Sequence, residues 1–206
     1  MDLDRYSQKY VTVTDPDGRV FTGCATSFPP GYGLHEYGRE EACLLVGEYM
    51  LFASDIASVT ELPGLDVLRA TETWQQAGAY YVRIQAMAKK HHIPLRREFD
   101  EHDTPDTKYI VVTDDGFPVA TARMYPLDDG GVMIGRVVVL PEYRHRGIGT
   151  MVVRECEEWA EELGFRKAVL ESRDNKVAFY LEMGYEVRGE PVEGDTFRTV
   201  RMEKSL

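Results

Sequence analysis

The hydrophobic pattern changes character twice between Ile134 and Leu163. Val137, Val138, Val139 and Leu140 form a continuous apolar run, which suits a strand buried on both faces. Pro141 ends it, because a proline has no N–H to give the next rung of a ladder. From Gly149 to Leu163 apolar residues recur at helical spacing. Val152, Val153, Cys156, Trp159, Ala160 and Leu163 share one stripe, and Glu155, Glu158, Glu161 and Glu162 lie opposite. The pattern predicts a buried strand, a short charged turn and an amphipathic helix.

Around this unit the same reading gives an α+β chain. Strands are expected at Leu68–Thr73, Tyr109–Thr113, Val119–Met124, Val132–Leu140 and Lys167–Glu171. A helix is expected over Ala77–His91, with Tyr80, Tyr81, Ile84 and Ala88 inward and Ile93-Pro94 as its stop. A short helix over Lys176–Met183, capped by Asp174 or Asn175 and ended by Gly184, precedes a hairpin of Tyr185–Arg188 with Phe197–Met202.

Residues 1–63 read differently. Tyr10–Thr14 and Arg19–Phe28 flank the tight turn Asp15-Pro-Asp-Gly18, Phe28–Gly33 is a loop, and Ala42–Val46 and Tyr49–Ala53 flank Gly47-Glu48. Ser58–Leu62 closes the series. Short strands without helical periodicity predict a small antiparallel barrel. Pro63-Gly64 marks the boundary with a second unit, 64–206.

The turn between strand and helix reads Arg144-His145-Arg146-Gly147-Ile148-Gly149. Its glycines permit dihedrals closed to other residues and let a ligand approach the backbone. The first amides of a helix lack partners within it and can bind an anion, and two arginines add charge suited to phosphate. The plain alternative is a junction whose glycines serve turn geometry alone. A dinucleotide fingerprint is absent, since position 152 is Val152, and no Gly-Lys-Ser/Thr occurs.

Arg144-x-x-Gly147-x-Gly149 after a valine strand resembles the acetyl-CoA-binding motif of the GNAT N-acetyltransferase superfamily, and Asn175-Lys-Val-Ala-Phe-Tyr-Leu-Glu-Met-Gly-Tyr185 resembles its second signature. The resemblance spans about residues 66 to 204. It implies a mixed α/β fold of the GNAT type, a central mixed sheet flanked by helices, here preceded by the small all-β barrel. It implies acetyl-CoA as co-substrate and a primary amine, on a small molecule or a protein, as acceptor. The backbone from Arg146 to Thr150 would hold the pyrophosphate, so that Arg144, His145, Arg146, Gly147, Ile148, Gly149 and Thr150 form the cradle. The edge of Val137, Val138 and Val139 would pair with the pantetheine arm. Tyr180 matches the family's proton donor to the departing thiolate; read from the residues alone it could equally be a core aromatic. Asn175 matches a cofactor contact, and a helix cap is an equal reading.

Amine attack also needs a proton acceptor, because an alkyl amine with a pKa of about 10.4 is charged at neutral pH. Glu98, Asp100, Glu101, His102 and Asp103 follow the first helix, where this fold places the acceptor; Glu98, beside Phe99, is preferred, against the alternative of a solvated polar loop. No His or Cys spacing suggests a metal, and Cys156 sits on an apolar stripe.

Composition narrows the partners. A net charge of −11 argues against a general nucleic-acid binder, and the first 62 residues hold ten acidic against four basic residues. The barrel order resembles Sm-like barrels. Without a basic face its expected use is oligomerisation (a homodimer among the arrangements), docking, ligand sensing, or plain stabilisation. No apolar stretch approaches a membrane helix, the N-terminus lacks the apolar core of a signal peptide, and three widely spaced cysteines fit reduced thiols. A cytoplasmic location is the expectation. The competing function is a catalytically silent CoA-binding sensor or scaffold.

Overall fold

A computed structural model of the chain describes residues 1–194 and 196–206. The N-terminal strands are β1 (Tyr10–Thr14), β2 (Val20–Phe28), β3 (Cys43–Val46), β4 (Tyr49–Phe52) and β5 (Ser58–Glu61). They form one antiparallel sheet in the order β4-β3-β2-β1-β5. Between β2 and β3, inside the expected loop, Leu34–Tyr37 makes a single helical turn, α1. Residues 20–24 of β2 pair with β1 and residues 25–28 with β3. The strand thereby carries the sheet around a core that includes Leu3, Val11, Val13, Ala25, Leu44 and Leu51. Among the described residues no ladder joins β4 to β5, so the curl rests on β2 and this core and not on a hydrogen-bonded seam.

The second sheet starts with β6 (Leu65–Arg69). Helices α2 (Thr73–Arg83) and α3 (Leu95–Glu98) follow, then β7 (Lys108–Asp114), β8 (Phe117–Pro126) and β9 (Val132–Val139). Helix α4 (Ile148–Glu162), β10 (Lys167–Arg173), α5 (Val177–Glu182), β11 (Glu186–Val187), β12 (Val192–Glu193) and β13 (Arg198–Ser205) complete it. The order is β11-β13-β10-β9-β8-β7-β6, with β12 also on β13. The architecture is the expected mixed α+β arrangement of a central sheet flanked by helices, preceded by a sheet-rich N-terminal region.

Neighbouring strands in this sheet run antiparallel except β9 and β10, which are parallel and joined by α4 as their crossover. Their pairing is brief. Val132 and Met133 meet Ala168 and Val169, after which the strands part. From Ile134 onward β9 keeps β8 on one side, and Leu170–Arg173 of β10 keeps β13. The parting opens at the C-terminal ends of two parallel strands, where open α/β sheets place ligands.

Helix α2 differs from the sequence reading. It starts at Thr73 rather than Ala77 because the Gln75 side chain folds back to accept the N–H groups of Thr71 and Glu72. It then continues as a π-helical turn over Ile84–Lys89. Its inward stripe is Gly78, Ala79, Val82, Arg83 and Ala86, whereas the expected inward Tyr81 is exposed against the Phe117 ring. Gly78 explains the choice of face: a Cβ there would lie 3.2 Å from Pro118, so the helix sits close to the sheet. Helix α4 is covered on two sides. Its expected stripe packs in the main core, but Leu163 is exposed and Arg154 and Glu157 are buried. Arg154 reaches the Glu48 carboxylate and the Tyr49 hydroxyl in the N-terminal sheet, which covers the helix face read as solvent-exposed.

Candidate active site

The parting of β9 and β10 is reinforced by a bulge. Thr121 of β8 faces Val138 and Arg123 faces Gly135, so Arg136 and Val137 together oppose Ala122. Arg136 adopts φ 52°, uncommon for a residue with a side chain and the mark of a re-aimed strand. Sequence reasoning missed this feature. Its signal was Gly135 inside a β-branched run.

Beyond β9 the loop turns twice through left-handed backbone, at His145 (φ 60°) and Gly147 (φ 73°). Gly147 is the N-cap residue of α4 and offers no side-chain cap. The first intrahelical bond runs from the Met151 N–H to the Gly147 carbonyl, so the amides of Ile148, Gly149 and Thr150 precede the helical ladder. Three donors at the positive end of a fifteen-residue helix form a site suited to an anion. His145 and Arg146 are exposed beside it. Arg144 has a different use: its Nε donates to the Val139 carbonyl at 3.0 Å and ties the loop to the end of β9. Val138 is buried, and Val137 and Val139 are partly open.

Helix α5 lies against this corner. A Cβ on Gly149 would lie 3.7 Å from the Phe179 ring and 3.9 Å from Val139, so α4, α5 and β9 converge there. The next residue, Tyr180, stacks edge-on against Phe179 and Tyr185. Burial pushes its phenol up to about 12, which keeps the proton on the oxygen at neutral pH. Asn175 is exposed in a single 3₁₀ turn, and the residue at the α5 N-cap is Lys176, without a side-chain bond. The expected cap by Asp174 or Asn175 is therefore not formed; the 3₁₀ turn moves the helix start past both.

On the other side of β9 lies a charge network that sequence reasoning grasped only in part. Arg83, fully buried on α2, donates Nε to Glu98 at 2.9 Å and Nη1 to Asp103 at 2.5 Å; Nη2 also meets the Glu98 carbonyl. Arg123 of β8 pairs with Asp100 at 2.6 Å and Asp103 at 2.8 Å. Arg136, at the bulge, reaches Asp100 at 3.0 Å. Tyr109 donates its hydroxyl to Asp103. Three arginines balance three carboxylates. Burial raises the Asp103 carboxyl, but bonds from Arg83 and Tyr109 outweigh it and hold the group well below the usual carboxylate range.

Glu98 is thus held in a tight ion pair with Arg83 and is 3% exposed. Glu101 is exposed, and His102 stacks on the Tyr125 ring at 3.8 Å.

The segment from residue 70 to 185 matches the model of the acetyltransferase (GNAT) family, more than half of the chain. The protein belongs to the GNAT acetyltransferase family. It is an enzyme of the acyltransferase class. Among its relatives is a Bacillus subtilis (strain 168) protein described as the uncharacterized N-acetyltransferase YjcF. The two are 31% identical over 116 residues, which cover 56% of this chain and 81% of that one. A solved structure of a proposed N-acetyltransferase from Lactobacillus plantarum superposes with a TM-score of 0.66 at 28% identity, covering 69% of this chain and 99% of that one. A GNAT acetyltransferase from Elizabethkingia anophelis, solved with acetyl-CoA bound, shares the fold at TM-score 0.52 and 13% identity, over 70% and 99% of the two chains. The family match starts at residue 70, so β1 to β5 lie outside it.

The network dictates two stability outcomes. Arg83→Ala takes the guanidinium partner from buried Glu98 and Asp103 and should cost about 3–5 kcal/mol in urea unfolding. The native state binds the Asp103 proton less readily than the unfolded chain, whose aspartates titrate near about 3.9. Its contribution is therefore complete above that pH and is lost as pH falls below it. An Asp103→Asn variant, less stable at pH 7, should lose less stability than the wild type between pH 5 and pH 2.

Proposed function

We propose that the enzyme transfers the acetyl group of acetyl-CoA to a primary amine by direct attack, with Tyr180 as proton donor. The observation that carries this reading is the α4 N-terminus: three amides without a side-chain cap, set at the mouth of the parted strands β9 and β10. The fit is chemical. A helix N-terminus with Arg146 beside it suits a pyrophosphate, and the outer edge of β9 next to the bulge can accept an extended, amide-bearing arm. The E. anophelis family member, solved with acetyl-CoA, supports the same co-substrate here. When bound, acetyl-CoA supplies an activated acetyl thioester.

The chain's own residues then do the following. The amides of Ile148, Gly149 and Thr150 bind the pyrophosphate, and Arg146 adds charge. The backbone of Val137–Val139 orients the arm, and a backbone amide of that strand faces the acetyl oxygen as it gains charge. Tyr180 holds a proton for the departing thiolate. The amine proton leaves to Glu98, the preferred carboxylate of the segment after the first helix, or through a water chain. Asn175, exposed at the turn before α5, contacts the cofactor. Residues 1–63 form a unit of their own, an Sm-like sheet whose order β4-β3-β2-β1-β5 supports the likeness, with 64–206 as the transferase unit.

Tyr180→Phe should lower kcat about a hundredfold or more, within the usual range for a general acid, and leave the dissociation constant of acetyl-CoA unchanged. The measurement is thiol release from acetyl-CoA across a panel of small amines and peptides. Thiol release matched to acetylated amine supports the transferase. Tight acetyl-CoA binding with no turnover on any amine would instead favour a CoA-binding sensor.

A further inference from the structure

We propose that the N-terminal sheet is a working part of the acetyl-CoA site, with Thr22 of β2 as the positioning residue that sets the pyrophosphate loop. The inference rests on the acetyl-CoA reading above and concerns residues outside the family match.

The Thr22 hydroxyl donates to the Arg146 carbonyl at 2.6 Å, across a separation of 124 residues. A hydroxyl has a single proton, so the contact between Thr12 Oγ1 and Thr22 Oγ1 at 3.0 Å runs from Thr12 to Thr22. The result is a relay, Thr12 to Thr22 to Arg146, anchored in β1 and β2. Thr22 is 7% exposed, which shields the relay from water.

The relay has a directional consequence. The peptide joining Arg146 to Gly147 is planar and trans, so its carbonyl and its N–H point opposite ways. Holding the carbonyl against β2 turns the Gly147 N–H away from the sheet, towards the side of the loop left for an anion. Gly147 confirms how closely the two parts meet. A Cβ there would lie 2.3 Å from Thr22 Oγ1, and φ 73° already disfavours a side chain. Arg154, on the next turns of α4, is held by Glu48 and Tyr49 of the same sheet, so both ends of the loop–helix junction are fastened to it. Part of the cost of ordering the cradle is therefore met before the ligand arrives.

The test compares Thr22→Val, which keeps the shape and removes the donor, with Thr22→Ser, which keeps the donor and removes a methyl. Acetyl-CoA dissociation constants are measured by calorimetry on the full chain, with ligand-free thermal midpoints recorded alongside. The expected result is about tenfold weaker binding for Thr22→Val, the loss of one buried hydrogen bond, and binding within about twofold of wild type for Thr22→Ser. Affinity should follow the hydroxyl even where the Thr22→Ser midpoint is the lower of the two. The proposal is overturned if Thr22→Val binds acetyl-CoA as the wild type does, or if both variants weaken it equally. Wild-type protein that fails to bind acetyl-CoA would remove the underlying reading itself, and is seen without any variant.

Discussion

The first turn of α4 is the constraint on which the site depends. Its amides have no side-chain cap, and Gly147 at the N-cap is pressed against Thr22 with no space for a Cβ. A helix end left in this state is costly unless something completes it. The surrounding structure is arranged to keep it open. β9 ends at the right point because of Pro141, Arg144 fastens the loop to the Val139 carbonyl, and α5 closes the corner through Phe179. Burial of the apolar side of α4 in the main core holds the axis of that turn in place.

The region around Arg83 and the β9 bulge is governed by a second constraint, which is electrostatic. Six charged groups sit together with charge balanced, and several are almost wholly shielded from water. Such networks are expensive to assemble and severe to break, and they fix one arrangement of the elements they join. Here they join α2, the segment after α3, β8 and the bulge of β9. The backbone at Arg136 is thereby tied to the segment of Glu98 and Asp100.

Much of this was legible in the sequence, and the reasons for the exceptions are physical. The strand–turn–helix unit shows itself because its hydrophobic period changes within a few residues, and the two glycines lie where the period breaks. Arg83 could not be read this way. A charged residue on an amphipathic helix is read as solvent-facing, and its partners Glu98 and Asp103 lie far along the chain. Tyr81 of α2 was misjudged for a related reason, while Ala88 is buried as expected. Gly78 and Ala79 allow close approach to the sheet, so small residues and not Tyr81 take the inner face. In the N-terminal region the strands were placed within a residue or so, but whether a curled sheet closes on itself depends on edge pairing that periodicity does not encode. The contact of Thr22 with Arg146 is likewise tertiary, and nothing local announces it.

On the proposed reading, the open α4 N-terminus and the free edge of β9 together hold acetyl-CoA. The most direct measurement is thermal unfolding of the protein with and without acetyl-CoA, with ATP and NAD as phosphate-bearing controls. At about 100 times its dissociation constant, acetyl-CoA should add roughly 2.7 kcal/mol of stability, and the controls should add little. An unchanged transition at millimolar acetyl-CoA, or an equal shift with all three ligands, would contradict the account.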